Sequence, residues 1–310
     1  MMSEEIKWLE DNNWDAGWID KPDAVEAVVD TLAYKTFGDT PAGRLVLGDL
    51  PKEVALWRNC ANITGQPTLP VMNQGEAGFC VGFGTCRAIE YTNLQEIVGG
   101  DPETFKLLAR GITYAGSRVE IGKGQIGRGD GSIGAWAAKF STEYGCLDQG
   151  IYEGYDLTKY NVSLIREWAY KSGVPDKLEP YIKQHKVNST TLVLNIDEAR
   201  KALAQGYAIA VCSNQGFTTT RDKNGICYPK GNWAHCMMCS GYTWIGSDLY
   251  FFIENSWGAY MGKSNPAPMG ANLATFLCKG DTFSRMLAAK DSFAFAGVNG
   301  FLRRKLDWDF

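Results

Sequence analysis

Apolar positions recur at helical spacing through the first half of the chain and at strand spacing through the second. Ala24, Val25, Ala27, Val28, Leu32 and Ala33 mark a helix over Pro22–Thr36, closed by the turn chemistry of Gly38-Asp39-Thr40-Pro41. A polar, glycine-rich stretch gives way at Cys80 to a segment with Phe83, Arg87, Ala88 and Tyr91 on one face. It predicts a long buried helix to about Ile97, stopped by Gly99-Gly100-Asp101-Pro102, with a second helix from Glu103 to about Val119. Gly122–Gly134 is too rich in glycine for regular structure and reads as a loop that lets backbone approach something closely. Helical spacing returns over Ile133–Tyr144 and stops at Gly145. Residues 151–196 are polar and mixed, with two helices interrupted by Gly173, Pro175 and Pro180.

From there the pattern changes. A helix over Ile196–Ala204 ends at Gly206, and Tyr207–Cys212 reads as a strand. Asp222-Lys223-Asn224-Gly225 is a hairpin turn, and His235–Thr243 and Tyr250–Glu254 are further strands. A helix over Asp281–Lys290 and a strand over Ser292–Val298 close the chain. Helices first and strands second predict an α+β protein of two lobes with a cleft between them.

Composition removes several function classes. With 31 basic and 35 acidic residues the net charge is -4, which gives no electrostatic footprint for nucleic acid or an anionic membrane. No uncharged apolar run approaches a membrane span, and the acidic start lacks the pattern of a secretory signal. Nine cysteines, an odd number without dense spacing, point to a reducing compartment such as the cytoplasm; delivery inside a particle leaves the same signature. The glycine loop lacks the lysine and the strand–loop–helix context of a phosphate cradle. Cys236 and Cys239 imitate a metal-binding pair, but on a strand residues three apart face opposite sides, so no metal is expected.

The candidate chemistry begins with Cys80. A thiol at a helix N-terminus sits beside unpaired N–H groups that favour its thiolate. Of the two histidines, His185 lies in a charged stretch that suits a solvated role, whereas His235 opens the apolar run Cys236-Met237-Met238-Cys239-Ser240-Gly241-Tyr242. Asn255-Ser256-Trp257-Gly258 follows twenty residues later. Together with Gln74-Gly75, Gly78, Cys80 and Phe83, and with Leu56-Trp57-Arg58 upstream, these runs resemble papain-like cysteine peptidases of the papain and cathepsin type. The resemblance covers roughly Leu50 to Gly262.

That resemblance implies a papain-like two-lobed α+β fold: a helical lobe whose central helix starts at the nucleophile, and an antiparallel, barrel-like β lobe. It places an N-terminal extension at residues 1–49, a structural arm in preference to a removable propeptide. The helical lobe then takes residues 50–195 and the β-rich lobe with a C-terminal extension residues 196–310. It also implies thiol-dependent hydrolysis of peptide bonds. Cys80 attacks as thiolate, His235 is its ion-pair partner and then general acid, and Asn255 orients the imidazole under the shield of Trp257. Gln74 and the backbone N–H of Cys80 form the oxyanion hole. Substrate lies along Gly131 and Ser132, and Ile133, Gly134, Val211, Trp233 and Ala234 line an apolar side-chain pocket. No cofactor is required, and the partner is a protein or peptide substrate.

Departures from the family are specific. The cysteines of one family disulfide are replaced together, by Ala77 and Gly129. Phe79 and Val81 flank the nucleophile where a small and an aromatic residue are usual, Ala234 replaces a polar residue, and Met261 stands at a common second tryptophan. Phe79 is expected to crowd the site, and Ser132, in place of a glycine, to narrow the substrate strand. The rival reading is a silent papain-like protein serving as a binding component of a larger assembly; an acyl or amide transferase using the same thiol is a third.

Overall fold

A computed structural model of the chain describes residues 7, 11, 16–101, 103–259 and 265–297. Met261 and the end of the last expected strand, Val298, lie outside the described residues. The molecule is built around one helix, Cys80–Val98 (α2), which follows a short first helix, Pro22–Val29 (α1), and a two-residue strand, Val54–Ala55 (β1). Helix α2 has no wet face over most of its length. Val81, Cys86, Ala88, Tyr91 and Leu94 belong to the larger core shared with the sheet, while Phe83 packs into a second core on the helical side. Gly82 and Gly84 explain how it fits between two layers. A Cβ on Gly82 would meet the Arg110 carbonyl at 2.7 Å, and one on Gly84 would meet Cys236 Sγ at 2.7 Å. Each glycine costs about 1 kcal/mol of helix propensity and allows a closer approach of neighbouring backbone.

The helical lobe continues with Arg110–Gly116 (α3), Gly134–Glu143 (α4), a small hairpin of Ile151–Tyr152 (β2) and Tyr155–Asp156 (β3), and Val162–Glu167 (α5). The β lobe consists of Ser189–Leu192 (β4), Ile196–Ala204 (α6), Ile209–Phe217 (β5), Pro229–Ile245 (β6), Asp248–Glu254 (β7), Thr275–Lys279 (β8), Gly280–Leu287 (α7) and Phe293–Ala296 (β9). Its antiparallel sheet runs β4-β9-β5-β6-β7-β8, with β1 paired to β6 at Val54↔Tyr242 and Ala55↔Gly241. Both β1 and β4 therefore belong to the sheet although each precedes residue 196. The lobes exchange chain, and a single boundary at residue 195 does not separate them.

Two helices differ from expectation for identifiable reasons. The expected helix from Glu103 begins only at Arg110, because residues 107–109 are held sideways: the Glu90 carboxylate takes the Leu108 N–H, and Ala109 and Gln149 exchange backbone bonds with Leu147 and Leu107. It then widens into a π-helical turn over Ser117–Ile121. Helix α1 stops at Val29 rather than Thr36, since the following residues turn to pair with Leu192, whose N–H reaches the Lys35 carbonyl. Long-range backbone pairing outweighs local propensity at both places.

Candidate active site

Helix α2 starts at Cys80, with Phe79 in a non-helical conformation before it, so the thiol occupies the first helical position. Strand β6 brings His235 alongside: the N–H of its neighbour Cys236 donates to Cys80 Sγ at 3.3 Å. Asn255 follows the end of β7, and its Oδ1 lies 2.7 Å from His235 Nε2. The Ser256 N–H also donates to that Oδ1, at 2.7 Å, which identifies the atom as the carbonyl oxygen. An oxygen accepts, so Nε2 must carry the proton and Nδ1 presents a lone pair. Nδ1 is buried and has no hydrogen-bond partner among the described residues. The Trp257 ring stacks on His235 at 4.5 Å, and Trp233 packs edge-on against Trp257 at 4.7 Å.

Below the site a buried ion-pair network ties strand β7, which precedes Asn255, to helix α2. Arg87 Nε lies 3.1 Å from Glu254 Oε1 and Arg87 Nη1 3.0 Å from Glu90 Oε2, while Arg110 also pairs with Glu90.

Gln74 is completely buried and fixed from both sides. Its Oε1 accepts from Ser256 Oγ at 2.6 Å, and its Nε2 donates to the carbonyls of Ala77 and Ala16, at 2.8 and 3.2 Å. The second acceptor, Ala16, belongs to the N-terminal extension. Residues 16–19 lie in the cleft, with Trp18 N–H donating to the Ala234 carbonyl, Ile19 N–H to the Ser132 carbonyl, and Ser132 N–H to the Gly17 carbonyl, each at 2.9 Å. The segment runs parallel to Ser132. Gly17, at φ +107°, crosses so close to Gly78 that a Cβ would sit 2.0 Å from the Gly78 carbonyl oxygen. Part of the N-terminal extension thus covers the site, and both Cys80 and His235 are fully buried. Burial pushes the His235 imidazole down to about 4, which its hydrogen bond to Asn255 offsets only in part.

Trp18 enters a pocket floored by Asp291, where its indole N–H donates to Oδ2 at 2.7 Å. The same carboxyl accepts the N–H groups of Gly134 and Ala135, at 2.8 and 2.7 Å, at the N-terminus of α4. Burial pushes Asp291 up to about 7 against those three donors. This places a polar acceptor where sequence reading expects an apolar floor. The only sequence signals were a tryptophan between acidic residues in the extension and an aspartate just before the last strand.

The other expected residues divide. Ile133 and Gly134 open α4 beside this pocket, and Ala234 supplies its carbonyl to Trp18. Val211 pairs with Met237, one position from Cys212↔Cys236, so it faces the opposite side of the sheet. A Cβ on Gly134 would meet Cys212 Sγ at 2.8 Å, which puts Cys212 rather than Val211 beside the pocket. Trp233 shares the His235 side of its strand, against Trp257. Gly131 turns its backbone inward, its N–H to Tyr114 Oη at 2.8 Å and its carbonyl to Arg118, so only Ser132 offers backbone to the cleft. Ser132 does not narrow that strand, because its hydroxyl points back to Ser117 Oγ at 2.7 Å. Nor does Phe79 crowd the site; it is buried in the helical core, stacked on Tyr114 at 4.1 Å. His185 is half-exposed and 3.7 Å from Asp148, away from the cleft.

Comparison with solved structures shows the fold. The chain has the fold of papain-like cysteine proteases. It superposes on xylellain, a cysteine protease from Xylella fastidiosa, with a TM-score of 0.60 and 18% identity over 93% of this chain and 97% of that one. Digestive procathepsin L 3 of the Tenebrio molitor larval midgut gives 0.57 and 14%, over 95% and 79%. The ragweed pollen cysteine protease Amb a 11, in its proform, gives 0.55 and 17%, over 94% and 77%. No protein-family model matches the sequence, and no curated protein matches it.

Proposed function

We propose that this chain is a cysteine peptidase whose cleft is covered by its own residues 16–19. The observation that carries the reading is the orientation of His235. Ser256 fixes the Asn255 amide, the amide fixes the Nε2 proton, and the free lone pair of Nδ1 is left on a ring one residue from the N–H that touches the Cys80 sulfur. That arrangement suits proton removal from a thiol and later return of the proton to a leaving amine. Gln74 Nε2, already holding the Ala16 carbonyl, is placed to hold the oxygen of an attacked carbonyl. A fully buried, neutral imidazole belongs to a covered state; rehydration on uncovering raises its basicity and favours the thiolate–imidazolium pair. Two of the similar structures are described as proforms, which accords with a covered cleft.

The test uses the full chain carrying Trp18→Ala, incubated with an unfolded protein substrate. Hydrolysis that disappears on adding Cys80→Ala, and that an epoxide reagent mapped to Cys80 blocks, is the expected result. An uncovered chain whose Cys80 alkylates rapidly but cleaves nothing would favour the silent binding protein.

A further inference from the structure

The cleft wall is formed by two stretches far apart in sequence, the loop that ends at Cys80 and the segment at Gly131–Ser132. No disulfide joins them, since Ala77 and Gly129 stand at the matching positions, and a Cβ on Gly129 would have nothing within 4 Å. We propose that Asp130 is a positioning residue that does this work: clamped by Arg166, it holds the Gly78 N–H and so fixes the nucleophile loop against the substrate strand. This rests on the peptidase reading for its effect on rate.

Both carboxylate oxygens of Asp130 are engaged. Oδ2 accepts from Gly78 N at 3.0 Å and from Arg166 Nη2 at 2.7 Å; Oδ1 accepts from Arg166 Nε at 3.2 Å and from Tyr170 Oη. The contact is close, for a Cβ on Gly78 would lie 2.9 Å from the Asp130 Cβ. Burial pushes the carboxyl up, but Arg166, Tyr170 and the Gly78 N–H outweigh it and hold it below the usual carboxylate range, so it stays charged. The contacts close a ring around the first turn of α2. Arg166 lies over the Phe79 ring, Phe79 stacks on Tyr114, and Tyr114 Oη takes the N–H of Gly131, which follows Asp130. Bidentate, charge-assisted bonds fix direction as well as distance. Gly78 is two residues from Cys80, whose N–H is needed at the oxyanion, and a misplacement of about 1 Å there costs on the order of 10²-fold in rate.

The experiment compares variants in the full chain carrying Trp18→Ala. Asp130→Ala is expected to lower kcat by about 10- to 100-fold with KM changed less than about threefold. Asp130→Asn keeps an acceptor for Gly78 and is expected to stay within about fivefold of the parent. The Asp130 side chain is 19% exposed, so formate can reach the vacated space; added to Asp130→Ala, it should restore kcat saturably. Equal loss in the Ala and Asn variants, unchanged kcat in Asp130→Ala, or no response to formate would each overturn the proposal. If the parent cleaves no peptide, the peptidase reading fails on its own, and the alkylation rate of Cys80 becomes the readout. A fall in Asp130→Ala that formate reverses supports the clamp, and an unchanged rate overturns it.

Discussion

Replacing Trp18 by alanine tests the covered cleft most directly. The indole is 3% exposed and makes the deepest contact of the covering segment. Removing a buried tryptophan side chain costs about 3–5 kcal/mol. The Asp291 acceptor that loses its indole donor adds about 1–3 kcal/mol, a penalty felt only while the segment stays in place. The sum, on the order of 4–8 kcal/mol, raises the ratio of uncovered to covered molecules by about 10³-fold or more, limited by how firmly the segment is held in the parent. The assay is iodoacetamide labelling under native conditions with peptide mapping. Cys80 labelling should rise by at least about tenfold while Cys239 and Cys278, buried deep in the sheet, remain protected. A rise below about threefold, or labelling of all three cysteines in step, would refute the reasoning: the segment would not be the cover, or the substitution would have loosened the whole fold.

Two further outcomes follow from packing and titration. Because burial holds His235 near 4 in the folded chain against about 6.5 unfolded, the folded state resists its protonation; the His235 contribution to stability is full above about pH 6.5 and is lost as pH falls toward 4, by about 3 kcal/mol in all. Asp291, raised to about 7, contributes with the opposite sign over the same range but equally in both proteins, so the test is the difference in urea stability between the parent and His235→Gln, which should shift against the parent as pH falls from about 6.5 to 4; identical slopes would contradict it. Gly84→Ala pushes a methyl to within 2.7 Å of Cys236 Sγ and should cost about 1–3 kcal/mol in a thermal or urea unfolding experiment, whereas Gly129→Ala, facing open space, should change stability by less than about 0.5 kcal/mol.

Much of the candidate site was legible because its groups lie in short runs. Gln74-Gly75, Cys80, His235-Cys236 and Asn255-Ser256-Trp257 each combine a reactive group with the turn or strand that presents it, and that local pairing survives without knowledge of contacts. The helix starting at Cys80 and the strand carrying His235 were likewise readable from periodicity, since each is long enough for its pattern to be unambiguous. What failed was whatever depended on strand register or on a distant partner. One position along a strand separates Val211 from Cys212 and reverses the side it faces, and nothing near Glu103 announces that Glu90 and Leu147 will hold the chain extended there.

The sequence alone supplied the candidate site residues, the helix that starts at Cys80 and the absence of cysteines at Ala77 and Gly129. Only the tertiary structure decided that residues 16–19 bond to Gln74, Ser132 and Ala234, that Asp291 takes the Trp18 indole, and that Asp130, held by Arg166, takes the Gly78 N–H. The physical reason is common to all three: each is a polar contact between residues dozens to hundreds of positions apart, whose strength comes from burial and geometry that folding creates and that no local pattern of apolar and polar residues encodes.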